Sequence, residues 1–207
     1  MELDLWTVWW GRMIHVLIGC ALKREVATLQ GCLRGDHEYL ATGLGERRTR
    51  ASLAKYFKRR LPSVFVFTGT AGQLDPSLRM GQVVCPEAWC RKDGATFAAN
   101  PEFIRRLRQR GWEVARRGLT LSWPVLRAKS RRELYRRYGA RVCDMESAAA
   151  LEVASALGIP CLAVKVVSDT ADSGPWSFFR HFHANMEKQA EYLSQLLPCL
   201  EPSQKKE

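Results

Sequence analysis

The sequence holds no CxxC pair, and its seven cysteines and four histidines are too scattered to complete a zinc-ligand pattern. Cysteines odd in number, several of them inside strand-like apolar runs, read as buried free thiols in a reducing cytoplasm. No structural metal and no cofactor is expected. No apolar run approaches the roughly 20 residues that cross a bilayer. The N-terminus is a poor signal peptide, with Glu2 and Asp4 where positive charge belongs and only a short apolar part. Internal repeats, linkers and low-complexity segments are missing, apart from a polar tail at Ser203–Glu207. RNP sequences, zinc fingers and helix-turn-helix patterns are missing too. The net charge of +11 therefore reads as a basic exterior rather than a specific nucleic-acid face, with peripheral contact to an anionic membrane left open.

What is present is a chain of 207 residues, 46% apolar and 26% charged, enough for one domain with a full core. Residues 1–12, with Trp6, Trp9 and Trp10, have no periodic partner. Met13 is a candidate initiator, and the alternative is an aromatic flap or interface arm. The domain is placed at 13–198, with 199–207 as a tail.

Apolar runs alternate with helical patterns across that domain. Strands are expected at Ile14–Gly19, Glu38–Thr42, Ser63–Phe67, Gln82–Cys85 and Pro160–Val167, with short extensions at Leu119–Leu121 and Arg141–Cys143. Helices are expected after Gly19, after Gly45, over Pro101–Arg110, Arg131–Tyr138 and Phe178–Leu197, and over Met145–Leu157 with Asp144 as its N-cap. In the Arg131–Tyr138 helix, Leu134 and Tyr138 fall four apart, which assigns the arginines to solvated faces. The alternation predicts a single three-layer α/β domain whose central sheet is mixed, largely parallel and flanked by helices.

Polar and glycine residues gather just after the strands: Glu25, Thr42-Gly43-Leu44-Gly45, Thr68–Gly72, Glu146 and Ser168-Asp169. Parallel strands end on the same edge, so five loops would feed one pocket. Singly, each has a plain explanation. Glu146 suits the positive end of a helix, Asp169 suits a turn, and glycines suit tight turns.

Together, GTAGQLDPSLRMGQVV (Gly69–Val84), CDMESAAALEVASALGIPC (Cys143–Cys161) and VKVVSDTAD (Val164–Asp172) resemble the purine nucleoside phosphorylase and nucleosidase superfamily. GCALKREV (Gly19–Val26) and ATGLG (Ala41–Gly45) add weaker support. The resemblance is nearest to methylthioadenosine/S-adenosylhomocysteine nucleosidases and to hopanoid-associated nucleoside-cleaving proteins.

It implies that Asp169 delivers a proton to purine N7 and that Glu25 orients the attacking water. Glu146 would accept hydrogen bonds from the ribose hydroxyls, with Met145 beneath the sugar. Thr70, Ala71 and Gly72 would lie beside base and sugar, Ser168 at the purine end, and Thr42 and Gly43 in the substrate wall. Lys165, where relatives have arginine, and Trp123, as a base stacker, are further candidates. Phe67 stands where phosphorylases carry a phosphate-binding arginine, which favours water as nucleophile; Arg47 and Arg48 keep phosphorolysis open.

The implied activity is hydrolysis of a 5′-modified adenosine to release adenine, by a homodimer acting on a small nucleoside. Alternatives are a lipid-linked adenosyl substrate, a phosphate-dependent phosphorylase, and a non-catalytic nucleotide- or RNA-binding protein.

Overall fold

A computed structural model describes residues 14–170 and 177–200. Its centre is four parallel strands in the order β11-β3-β1-β2: β1 Val16–Cys20, β2 Glu38–Ala41, β3 Val64–Phe67 and β11 Cys161–Ala163. Period-two alternation sends these strands' side chains to opposite faces. Val16, Ile18, Val64, Val66 and Leu162 pack with three helices: α1 Lys23–Cys32, α3 Pro101–Gln109 and α6 Ser177–Leu200. Leu17, Phe65, Phe67, Cys161 and Ala163 pack with α2 Glu46–Phe57 and α5 Ser147–Ala156. These are the three layers. Sheet faces covered on both sides explain why the strands read as continuous apolar runs.

The second sheet comprises β4 Thr70–Gln73, β5 Val83–Pro86, β6 Ala88–Cys90, β7 Thr96–Ala98, β8 Val114–Ala115, β9 Gly118–Thr120, β10 Val142–Asp144 and β12 Lys165–Asp169. Its pairings mix parallel and antiparallel, and over both sheets the parallel ones predominate. Helix α4, Ala128–Tyr138, covers a third apolar cluster around Leu119, Leu121 and Cys143.

The expected strand Pro160–Val167 is divided at Val164 into β11 and β12. Its partner is divided at Thr68-Gly69 into β3 and β4. Val164 N donates to Phe67 O at 2.9 Å and Val166 N to Gly69 O at 3.0 Å, so the two chains bend together and carry pairing from one sheet to the next. Thr70–Gly72, expected as a loop, is consequently strand.

Helix α5 begins at Ser147 rather than Met145, and Glu146 holds the N-cap position. Asp144 still accepts the Ser147 N–H, at 3.0 Å, so it does the capping expected of it from two residues further out. The closing helix runs through Leu200, with Cys199 and Leu200 buried, so the assigned tail begins inside the core. The aromatic segment 1–12 lies outside the described residues. Among the described residues no helix is long and apolar enough to cross a membrane.

Candidate active site

The bend between the sheets opens a cavity of about 450 Å³. Its walls come from the turn after β1 (Ala21, Leu22, Glu25), from β4 (Thr70, Ala71, Gly72), from the β10 exit (Cys143 to Glu146) and from β12 (Lys165, Ser168, Asp169). Leu44, the Trp123–Leu126 segment, Arg131 and Phe179 complete it. Stretches of chain distant in sequence thus meet at one place. Two of them are strands rather than the loops beyond strands.

Glu25 is buried, and each of its carboxylate oxygens is held. Oε2 accepts the Leu22 N–H at 2.9 Å, closing the first turn of α1 as an N3 glutamate does. Oε1 accepts from Thr70 N and from Thr70 Oγ1, both at 3.2 Å. Gly69 permits this: its φ is 124°, and a Cβ there would sit 2.8 Å from Oε1.

Glu146 reaches across to α2, where Oε1 accepts the Gly45 N–H at 2.8 Å. It is only 4% exposed. Burial, and then the charge of neighbouring Asp144, raise its pKa from 4.5 to about 7, against the pull of Lys165 and the Gly45 N–H.

Asp144 and Lys165 form a buried ion pair, Oδ2 to Nζ at 3.1 Å. Thr120 Oγ1 also donates to Asp144, at 2.8 Å, while the Lys165 ammonium lies 4.3 Å above the Phe67 ring. Lys165 is expected to be structural as well as cavity-lining. Lys165→Met leaves the Asp144 carboxylate without its buried partner, an imbalance that typically costs about 3–5 kcal/mol. Urea unfolding at pH 7 measures it, and a variant within about 1 kcal/mol of wild type would show that the pair contributes little.

Asp169 owes its direction to a bulge. Val167 pairs with Ala71 and Asp169 with Gly72, so two residues of β12 advance for one of β4. Ser168 Oγ is then 2.8 Å from Asp169 Oδ1 and 3.2 Å from Ala71 O, and Arg131 forms an ion pair with the other carboxylate oxygen.

The structure therefore brings Glu25, Glu146, Met145, Thr70, Ala71, Gly72, Ser168, Asp169, Lys165 and Trp123 to one cavity. Trp123 is 80% exposed and stands at the mouth. Thr42 and Gly43 are not on the wall. Thr42 bonds backward to Cys20 O and packs on Thr49, and the Gly43 N–H joins Ala21 O, so this pair fixes the first two turns behind the wall.

Arg131 corrects the assignment of the α4 arginines to solvent: it is 4% exposed and faces the cavity. The signal was available, because 131, 134 and 138 share one helical stripe, and an arginine on a stripe with Leu134 and Tyr138 points inward. Among the described residues no three His, Cys, Asp or Glu side chains lie close enough to share a metal ion.

The family model of the phosphorylase superfamily matches residues 39–198, more than half of the chain. The chain belongs to the phosphorylase superfamily. Within that superfamily its fold is that of known nucleosidases. The 5′-methylthioadenosine/S-adenosylhomocysteine nucleosidase of Campylobacter jejuni superposes with a TM-score of 0.76 at 16% identity, over 91% of this chain and 100% of that one. The S-adenosylhomocysteine nucleosidase of Streptococcus pyogenes gives 0.77 at 20%, over 93% and 100%. An aspartate-to-asparagine mutant of the Helicobacter pylori nucleosidase, with 5′-methylthioadenosine in its active site, gives 0.77 at 14%, over 91% and 100%.

Proposed function

We propose that this protein hydrolyses the N-glycosidic bond of a 5′-modified adenosine, of the methylthioadenosine, S-adenosylhomocysteine or 5′-deoxyadenosine type, and releases adenine. The observation that carries the reading is the convergence of three carboxyl groups, Glu25, Glu146 and Asp169, on one cavity, each in a different environment. Cleavage needs three things: a nucleophile at C1′, stabilisation of a cation-like sugar, and a proton for the departing base. Glu25, fixed by three N–H and O–H donors, is the group to orient and deprotonate water. Glu146, when ionised, accepts from the ribose hydroxyls and faces the positive charge that develops on the ring. Asp169, an ion-paired carboxylate in the unliganded site, takes up a proton from solvent as the nucleoside enters and gives it to N7 as the bond from C1′ to N9 breaks. Water supplies hydroxide to the sugar, its proton passes to Glu25, and the products are adenine and the free pentose.

Water is favoured over phosphate because the cations on the cavity wall are already committed. Lys165 is paired with Asp144 above an apolar Phe67, and Arg131 with Asp169. Arg47 and Arg48 are exposed and off the wall. Adenine release from a panel of 5′-modified adenosines is expected to be the same with and without phosphate. Strict phosphate dependence, with a pentose 1-phosphate as product, would overturn hydrolysis.

A lipid-linked adenosyl compound is a second reading, favoured by one feature. Leu44, Trp123, Leu126 and Phe179 are all exposed and all border the same cavity, a rim fit for an extended apolar 5′ substituent. It would be preferred if activity appeared only with lipid substrate on anionic vesicles. The same rim suits a homodimer interface, which sedimentation of the purified protein tests. Seven free cysteines, six of them buried, suit a reducing cytoplasm.

A further inference from the structure

Arg131 is a buried charge, in contact with the proposed acid, that hydrolysis as written leaves without a role. Four of its five N–H donors are matched among the described residues. Nε donates to Val125 O at 2.9 Å, Nη1 to Gln73 O at 3.0 Å and to Asp169 O at 3.2 Å, and Nη2 to the Asp169 carboxylate. Asp169 is the one side chain among these acceptors; the others are backbone carbonyls. The absence of a side chain at Gly72 admits the guanidinium, since a Cβ there would lie 3.3 Å from Nη1. With Ser168 Oγ on Oδ1, both oxygens of Asp169 are held and the carboxyl plane is set.

We propose that Arg131 is a positioning residue for Asp169, fixing the carboxyl group toward the leaving base and coupling it to the mouth of the cavity through Val125. The inference rests on the reading of Asp169 as the proton donor. A guanidinium beside a carboxyl group stabilises the carboxylate that remains when the proton has gone, so the contact strengthens as the glycosidic bond breaks. Such an interaction, stronger late in the reaction than in the bound ground state, raises kcat and leaves substrate binding almost untouched. Through Nε the same guanidinium holds the segment that carries Trp123 and Leu126, so what lies against the rim bears on the orientation of the acid.

The test compares wild type with Arg131→Lys, which keeps the charge, and Arg131→Gln, which keeps N–H donors without it. Two substrates are used: methylthioadenosine, and the 4-nitrophenyl riboside with the same 5′ group, whose leaving group departs as a stable anion. Fold is checked by circular dichroism and melting. Toward methylthioadenosine, Arg131→Gln is expected to lower kcat roughly 10²-fold with KM within about threefold, the scale of one general acid–base contribution. Arg131→Lys is expected to recover about a tenth or more of wild-type kcat, and the nitrophenyl riboside to show little loss in either variant. The proposal is overturned if Arg131→Gln keeps its kcat, if glutamine serves as well as lysine, or if a folded variant loses both substrates equally. Should wild type leave the nitrophenyl riboside intact, the kcat and KM split and the lysine recovery decide. No adenine release by wild type, or full release by Asp169→Asn, would instead remove the proposed function itself.

Discussion

Asp169→Asn is expected to lower kcat for adenine release by about 10²–10⁴-fold, the usual contribution of a positioned general acid. At about 1.4 kcal/mol per decade this is roughly 3–5 kcal/mol of transition-state stabilisation. Adenine leaving without a proton would carry its negative charge into a cavity lined largely by apolar and backbone groups. An asparagine keeps the shape of the side chain and an acceptor for Ser168, but it has no proton to give. It also turns an amide toward Arg131, which then loses its one side-chain acceptor among the described residues. Some stability is therefore lost as well, and kcat has to be measured well below the melting temperature of the variant. KM is expected to change little. A folded asparagine variant retaining more than about a tenth of wild-type kcat would rule out Asp169 as the acid.

Glu146→Gln is expected to pull activity and stability in opposite directions. Ribose hydroxyls lose a charged acceptor, and hydrogen bonds to a charged group contribute about 1.5–3 kcal/mol, so kcat/KM falls roughly 10- to 100-fold. Stability moves the other way. The folded protein keeps a proton on Glu146 up to about pH 7, whereas the ordinary carboxyl value is 4.5. Between these values the unfolded chain binds fewer protons than the folded one, so raising the pH drives wild type toward unfolding. Above pH 7 both states are ionised and the whole penalty is present; below 4.5 it is gone. Glutamine does not titrate and still accepts the Gly45 N–H through its carbonyl oxygen. Denaturant unfolding should accordingly find Glu146→Gln more stable than wild type at pH 8, by on the order of 1–3 kcal/mol, with the difference shrinking as the pH falls toward 4.5. A variant less stable than wild type at pH 8 would mean that the carboxylate's contacts outweigh its burial. In the wild type, kcat/KM should fall as the pH drops below about 7, because protonated Glu146 is a poorer ribose acceptor.

That opposition is a familiar feature of binding sites. Asp144, Lys165, Glu146 and Glu25 crowd several charges into one dry region. The resulting raised pKa persists because α2, α5 and both sheets converge on that point.

Local sequence determined much of this protein. The apolar runs IHVLIG and SVFVF as strands and a helix stop at Gly158 follow from side-chain character and backbone preference, which act over a few residues. So did the gathering of acids and glycines after strands, because parallel strands leave little freedom about where their ends point. Tertiary structure alone decided the rest. The division of Pro160–Val167 at Val164 depends on a matching bend in a strand about a hundred residues earlier in the chain. The turning of Asp169 depends on a bulge registered against Gly72. Thr42 and Gly43 fell behind the cavity wall because their hydrogen bonds go back to β1. Arg131 left solvent because Asp169, Gln73 and Val125 together offer a guanidinium acceptors that water would otherwise provide, and a side chain's partners across the fold are a property of the packed chain rather than of its neighbours in sequence.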